Sequence, residues 1–252
     1  VRIPGAGQRP NGGGTTSRDF AYPQTRLGFD DTVQDAFLAR FEYDIVPGVT
    51  ISNQTRWANV DREARIPYVS NSAVAAAPFF YDRNNESLSN QTNVRAKFNT
   101  GTFKHTLSTG VDVSRETSFA RRGATGTETA DVEIDTVAFY AFDTIELSRQ
   151  WQLSGGVRVE HYDLDFAGHR LFNVGLNQGI ISRSQSETTV GGKIGLAYKP
   201  VDNGTFYASY GLSHLPPGSL LSNPDIAREG GNAFPGFVPG ADPVELHNYE
   251  VG

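Results

Sequence analysis

Hydrophobic and polar side chains alternate residue by residue in the clearest stretch of the sequence. Aromatic or small residues occupy one set of positions and mostly charged residues the other: Phe37, Ala39, Phe41 and Tyr43 against Leu38, Arg40, Glu42 and Asp44. Because successive side chains of a strand point to opposite faces, this period of two predicts a β-strand with one aromatic and one charged face. A Pro-Gly turn at 47–48, followed by a second strand over 49–57, predicts a hairpin.

The hairpin pattern recurs three more times along the chain. The predicted strand pairs are 88–99 with 102–115, 136–147 with 151–165, and 189–199 with 205–213. Tight turns therefore recur about every 50 residues, and the predicted strands are about 12 residues long. Strands of this length are long for a soluble domain and suit a tilted crossing of a lipid bilayer.

The segments between hairpins are much longer than the turns within them. The sequence predicts polar loops over 61–87, 116–133, 167–185 and 214–245, with 1–31 as the tail of another. Short turns at one rim and long loops at the other are typical of outer-membrane barrels. We therefore predict an all-β fold: an antiparallel transmembrane β-barrel segment of eight to nine strands, with short periplasmic turns and long extracellular loops.

Aromatic residues near strand ends or along the apolar faces fit this fold, because barrels carry aromatic girdles at both membrane interfaces. The candidates are Tyr43, Trp57, Tyr140, Trp151, Tyr198 and Tyr210. A soluble sandwich core would also use such residues, but charged residues occupy the alternate face too regularly for that fold. A soluble propeller with kelch-type repeats of about 50 residues is a further alternative; it needs four strands per repeat, where each unit here has two.

Composition narrows the function classes. The chain has no cysteine and a formal net charge of −6, so it lacks thiolate chemistry and the clustered basic face of a nucleic-acid binder. No catalytic motif is visible, and we expect neither an enzyme nor a bound cofactor. The five histidines lack the spacing of a helical zinc site, so no metal site is expected. Without a starting Met or a signal sequence, the chain is expected to be an internal fragment.

Six short phrases carry a resemblance to a known family. They occupy 53–57, 140–147, 151–158, 196–200, 207–211 and 248–252. In this order and spacing, they resemble the barrel strands of TonB-dependent siderophore receptors.

The resemblance implies a barrel of about 22 strands, closed by an N-terminal plug domain and energised through a TonB box. Residues 1–252 would then be part of the barrel domain, with the plug and the C-terminal strands outside the sequence. The implied function is import of a ferric siderophore through the outer membrane of a Gram-negative bacterium. The implied partners are the siderophore, outer-membrane lipid and lipopolysaccharide, the protein's own plug and the TonB complex. A passive porin or structural barrel is the alternative.

Two groups of residues are candidates for ligand binding. Phe79, Phe80 and Tyr81 lie beside Arg83, and such rings can stack on planar chelating groups while the arginine meets an anionic chelate. The alternative is that these rings pack a loop or line the outer girdle.

The second group is basic and consists of Arg115, Arg121 and Arg122, which suit a negatively charged ferric complex or the phosphates of lipopolysaccharide equally well. An ordinary solvated surface is the alternative. A further set should face the barrel lumen, chiefly as a structural ion-pair lining: Arg40, Arg56, Arg95, Lys97, Arg158, Glu160 and Lys193.

Overall fold

The computed structural model describes residues 29–70, 73–123, 128–170, 179–201, 203–215 and 242–252. Side chains are described for these residues except at 66–70, 73–80, 122–123, 128, 169–170, 179–181 and 183.

Nine β-strands account for the regular structure of the described ranges. They are β1 (Phe29–Val46), β2 (Val49–Ser70), β3 (Ala73–Thr100), β4 (Phe103–Gly123), β5 (Glu128–Glu146), β6 (Trp151–Arg170), β7 (Gly179–Val201), β8 (Gly204–Leu215) and β9 (Val244–Val251). They form one sheet in chain order, and every neighbouring pair is antiparallel. Within the described part of the chain, no helix is both long and apolar enough to cross a membrane. The all-β antiparallel prediction is confirmed.

Strand boundaries are where the sequence prediction was wrong. β2 has 22 residues and β3 has 28, and most of the segment predicted as a loop over 61–87 belongs to these two strands. Residues 78–83, predicted as part of that loop, lie within β3. The pattern misled because strands that leave the bilayer meet water on their outward face, and polar residues there resemble a loop.

Short turns close the hairpins at one end of the sheet. Gly48 and Gly101 have φ values of 86° and 62°, which other residues rarely adopt. The turn before β6 is held by Ser148, whose Oγ accepts hydrogen bonds from the backbone N–H groups of Gln150 and Trp151, both at 3.1 Å.

The strand register separates two faces of the sheet. One row of directly opposed residues is Phe41, Asn53, Thr92, Val111, Phe139, Val159 and Val190. We call the face that carries this row the apolar face and the opposite one the polar face. All seven residues predicted to face the lumen share the polar face, as their register positions require: Arg40, Arg56, Arg95, Lys97, Arg158, Glu160 and Lys193.

Glycines let two aromatic rings lie flat on the polar face. Tyr140 stands opposite Gly110, where an added Cβ would sit 2.7 Å from the tyrosine hydroxyl. Phe142 stands opposite Gly156, where a Cβ would overlap the phenylalanine ring. Pairing an aromatic residue with a cross-strand glycine covers the exposed backbone of the glycine. Tyr140, which the sequence placed among the girdle candidates, therefore belongs to the polar face.

Candidate functional site

A band of apolar side chains extends upward from the short turns on the apolar face. In β6 it comprises Trp151, Leu153, Gly155, Val157 and Val159, and the polar His161 ends it. From Trp151 to His161 the strand advances roughly 33 Å, which a tilt of about 40° reduces to roughly 25 Å of height. That height matches the apolar band of an outer-membrane barrel.

Side chains of this band are unusually exposed for apolar residues. Phe41 is 75% and Phe139 63% exposed. A continuous apolar surface of this size requires an apolar environment, and lipid provides one.

Aromatic residues border the band at both ends. Near the short turns, Trp151 and Tyr198 are directly opposed, with ring centroids 4.5 Å apart. At the far end, Trp57 donates its indole N–H to Glu86 at 2.9 Å. An indole with its ring in the band and its N–H toward a charged neighbour is suited to a membrane interface.

Four polar side chains interrupt the band between β2 and β3, and they satisfy one another. Asn53 donates to Asn90 at 3.0 Å and to Thr92 at 2.8 Å, while Asn90 donates to Asn53 at 3.2 Å and to Thr55 at 2.7 Å. Because lipid offers no hydrogen-bond partner, this reciprocal pairing lowers the cost of polar groups on this face.

Beyond the band, the two faces exchange polarity. The apolar face becomes a charged belt with many more carboxylates than arginines: Asp31, Asp35, Asp61, Glu63, Asp82, Glu86, Asp131, Glu133, Asp135, Asp163 and Asp165 against Arg65, Arg115 and Arg121. On the other face, β5 and β6 form a buried apolar cluster of Ala130, Val132, Ile134, Tyr162, Leu164 and Phe166. This reversal marks the level at which the strands leave the bilayer and continue into water.

Two of the predicted basic residues lie in the charged belt and bind carboxylates. Arg115 donates to both oxygens of Asp135 at 2.7 and 2.6 Å, and this pairing holds the pKa of the Asp135 carboxyl below its usual value. Arg121 pairs with Asp82, which Arg65 also contacts. Burial raises the pKa of the Asp82 carboxyl, but hydrogen bonds from Arg121 and Arg65 outweigh it and leave that pKa below its usual value. The side chain of Arg122 lies outside the described part.

The aromatic group with Arg83 is placed in β3 beyond the apolar band. Tyr81 and Arg83 hold alternate positions of the strand and share the polar face. Arg83 stands directly opposite Arg62, whose guanidinium is held by both oxygens of Asp30 at 2.8 and 2.7 Å. The side chains of Phe79 and Phe80 lie outside those described.

At the level of the band, the polar face carries a hydrogen-bonded cluster of which the sequence analysis predicted only Arg158 and Glu160. Arg158 bridges Asp112 on β4 and Glu160 on its own strand, with Nη2 2.7 Å from the Glu160 carboxylate. Tyr140 donates to Asn93 at 3.0 Å and accepts from Gln91 at 3.2 Å. All of these groups except Glu160 border a cavity of about 400 Å³. The sequence did not indicate that Tyr140 and Asp112 belong to this cluster, because the residues that they contact lie on other strands.

Glycines floor a second cavity of about 540 Å³ on the same face, lined in part by Gly191, Gly211 and Phe142. Lys193 places its Nζ 5.5 Å from the centre of the Phe142 ring, within the range of a cation–π contact. Among the residues that the structure describes, no group of three His, Asp or Glu side chains is arranged to hold a metal ion.

Comparison with known proteins places the chain in a family. The family model described as "TonB dependent receptor-like, beta-barrel" matches residues 2–252. The chain belongs to this family of barrel proteins, which are located in the outer membrane of Gram-negative bacteria. The apolar face therefore meets lipid, and the polar face lines the barrel interior.

The matching relatives include a siderophore receptor by name. The chain is 29% identical over 260 residues to Catecholate siderophore receptor Fiu of Escherichia coli O6:H1, covering 82% of this chain and 33% of that protein. It is 25% identical over 252 residues to Probable TonB-dependent receptor BfrD of Bordetella pertussis, again covering 33% of the relative. The chain thus spans about a third of the length of these relatives.

Solved structures agree with the fold. The closed form of the ferric-catecholate import receptor Fiu from E. coli K12 is similar with a TM-score of 0.72 and 25% identity, over 90% of this chain and 38% of that one. The siderophore receptor PiuA of Acinetobacter baumannii shares the fold with a TM-score of 0.69 at 18% identity, over 89% of this chain and 38% of that one.

Proposed function

We propose that the protein containing this chain imports a ferric siderophore across the outer membrane. The observation that carries the proposal is the similarity to the receptor Fiu, whose name specifies a catecholate siderophore, over 82% of this chain. The membrane-spanning band supports it, because a wall of this kind separates lipid from a polar interior.

The polar face is the surface that a plug domain would contact in the complete protein. Its ion pairs around Arg158 keep charged side chains paired where bulk water is scarce. A plug would close the interior until the TonB complex supplies energy, which distinguishes an importer from a passive porin.

Ligand contact is proposed for Tyr81 and Arg83, together with Phe79 and Phe80. Arg83 adds a cation at the outer end of the polar face, where an anionic chelate would enter, and Tyr81 adds a ring for stacking. For the basic group of Arg115, Arg121 and Arg122 we propose an anionic partner. Because Arg115 and Arg121 occupy the outward belt, their position is nearer to lipopolysaccharide phosphate than to a ligand in the interior, and such a phosphate would compete with the carboxylates of Asp135 and Asp82 that hold them.

Growth under iron limitation tests the proposal. A deletion strain is compared with its parent and with a strain carrying the full-length gene, each supplied with a panel of catecholate, hydroxamate and haem iron sources. We expect the deletion to lose growth on at least one ferric siderophore and the full-length gene to restore it. Equal growth of all strains on every source would refute siderophore import.

The role of Arg83 is tested by Arg83→Gln against the matched control Arg62→Gln. Both residues are arginines on the same face and are directly opposed, and only Arg83 shares its strand with Tyr81. We expect Arg83→Gln to weaken ferric siderophore binding to the full-length protein more than Arg62→Gln does. The reverse order would remove Arg83 from the ligand site while leaving import itself untouched.

Planar-bilayer conductance separates importer from porin. A plugged importer should show no steady open channel when the full-length protein is inserted, whereas a passive porin conducts continuously. A steady conductance would favour the porin.

A further inference from the structure

The polar side chains that interrupt the lipid-facing band lie near its middle. They are Asn53 and Thr55 on β2 and Asn90 and Thr92 on β3, which we call the amide–hydroxyl patch, and all four are half-buried. Measured from Val49 beside the short turn, Asn53 and Thr55 lie roughly 10 and 15 Å up a band of roughly 25 Å. The polar groups of lipid lie at the two surfaces of the bilayer, so at this height only protein supplies hydrogen-bond partners.

The patch is surrounded by strands of the described sheet. β2 pairs with β1 and β3 pairs with β4, so no further strand of the barrel can lie beside it. Its neighbours in the same rows are apolar: Ala39 and Phe41 on β1, and Val111 and Val113 on β4. A plug would lie on the opposite, polar face, and the loops of such barrels lie outside the bilayer. The patch is therefore a polar island in lipid that only another molecule can cover.

Pairing within the patch uses all the amide N–H groups and leaves two hydroxyl hydrogens over. The amides of Asn53 and Asn90 donate to each other and to the hydroxyl oxygens of Thr92 and Thr55. Among the described residues, neither hydroxyl donates a hydrogen bond in return. Each amide oxygen accepts one hydrogen bond within the patch and keeps a second lone pair. Two donors and two acceptors therefore remain in lipid, where an unmade hydrogen bond costs free energy.

Equal numbers of remaining donors and acceptors make the patch complementary to itself. Every copy of a barrel inserts with its short turns toward the periplasm, so a two-fold axis along the membrane normal brings the patches of two copies to the same height. With that axis between β2 and β3, Thr55 faces Asn90 of the second copy, and Thr92 faces Asn53 of the second copy. Each hydroxyl can then donate to the amide oxygen opposite it. Barrel walls curve away from each other, so two neighbouring strands suffice for such a contact.

We propose that the amide–hydroxyl patch is the centre of a two-fold dimer contact between two copies of the full-length protein in the outer membrane. The hydroxyls of Thr55 and Thr92 in each copy donate to the amide oxygens of the other, and the apolar side chains around the patch pack against those of the second copy. Hydrocarbon offers these groups no alternative partner, so the contact forms within the bilayer.

Cysteine cross-linking in native outer membranes tests which surface meets a second copy. Leu88→Cys places a thiol beside the patch, and Val190→Cys is a matched control on the same face of β7, since the two side chains are 49% and 55% exposed. Both lie near the far end of the band, because Leu88 is directly opposite Trp57 and Val190 is directly opposite Val159. In full-length protein without other cysteines, a short bis-maleimide should give a covalent dimer of Leu88→Cys and only a trace of one for Val190→Cys.

Removing the polar groups tests whether they make the contact. The variant Asn53→Leu/Thr55→Val/Asn90→Leu/Thr92→Val removes the donors and acceptors together, so none is left unpaired and the barrel should fold, as its electrophoretic mobility would show. Energy transfer between donor-labelled and acceptor-labelled copies of the full-length protein in phospholipid vesicles measures dimerisation. We expect the variant to need about tenfold more protein per lipid than the parent to reach the same energy transfer.

Three outcomes would overturn the proposal. They are absence of a covalent dimer from Leu88→Cys, equal amounts of dimer from Leu88→Cys and Val190→Cys, and unchanged energy transfer in the folded patch variant. A cross-linked product that joins Leu88→Cys to a different protein would also overturn it, because the patch would then be covered by another partner.

Discussion

Replacing Gly156 by alanine tests whether the flat packing of Phe142 holds the sheet together at β5 and β6. A Cβ at Gly156 would overlap the Phe142 ring and the carbonyl oxygen of Ala141. The adjacent Gly155 is a matched control, because its side of the sheet is open: a Cβ there meets nothing closer than 3.5 Å. The two substitutions add the same methyl group on opposite faces of one strand.

The structure gives the sign and size of the difference in stability between the two variants. Overpacking costs about 1–3 kcal/mol, and the overlap with backbone at Ala141 favours the upper end of that range. Removing a strand glycine returns about 0.5–1 kcal/mol of conformational entropy. Gly156→Ala should therefore lose about 2 kcal/mol, whereas Gly155→Ala should be neutral or slightly stabilising.

Thermal unfolding of the full-length protein in detergent measures this difference, with the folded barrel followed by its electrophoretic mobility. We expect the unfolding temperature of Gly156→Ala to fall below those of the parent and of Gly155→Ala. Adding Phe142→Leu to Gly156→Ala should recover part of the loss, because the smaller side chain leaves room for the methyl group. If Gly156→Ala is as stable as Gly155→Ala, the packing argument is wrong.

Three further predictions concern the band and the region beyond it. Val157→Arg in the lipid-facing band should destabilise the full-length protein by about 2–4 kcal/mol, whereas Asp165→Arg in the charged belt should destabilise it much less. Equal losses of stability in unfolding assays would place the membrane boundary elsewhere. Asp82→Asn should reduce stability by about 1–2 kcal/mol near neutral pH. The difference should shrink once pH falls below the ordinary carboxyl value of 3.8 and vanish below the lower pKa of the folded state, because a lowered pKa stabilises the fold only while the group is ionised; a pH-independent difference would contradict this. Burial and the Glu187 carboxylate raise the pKa of Tyr162 to about 12, so stability should decline between about pH 10 and 12, and Tyr162→Phe should remove that decline in an alkaline titration.

The sequence predicted the fold class because strand alternation follows from covalent geometry. Phe37 to Tyr43 and their charged neighbours occupy opposite faces whatever the rest of the chain does, and the Pro-Gly turn at 47–48 fixes the first hairpin locally. The alternation pattern did not predict the length of the strands. The charged residues at 61–65 read as a loop, and only pairing with β1 and β3 shows that they continue a strand.

For the candidate site residues too, the sequence predicts one part and only the structure shows the other. Placement of Arg95 and Lys97 on the polar face follows from alternation alone, and the structure confirms it, whereas Arg83, predicted in a loop, lies in β3. Partners do not follow, because Arg158 and Asp112 lie 46 residues apart and meet only through the register of three strands.

What the sequence determined by itself is local: period-two strands, tight turns and the two-sided character of each strand. What only the tertiary structure decided is the alignment of the strands, which sets the height of the apolar band, the level at which the faces exchange polarity and the pairing of each charge. The reason is physical: covalent geometry fixes the direction of each side chain, whereas register depends on backbone hydrogen bonds between segments that are distant in the chain.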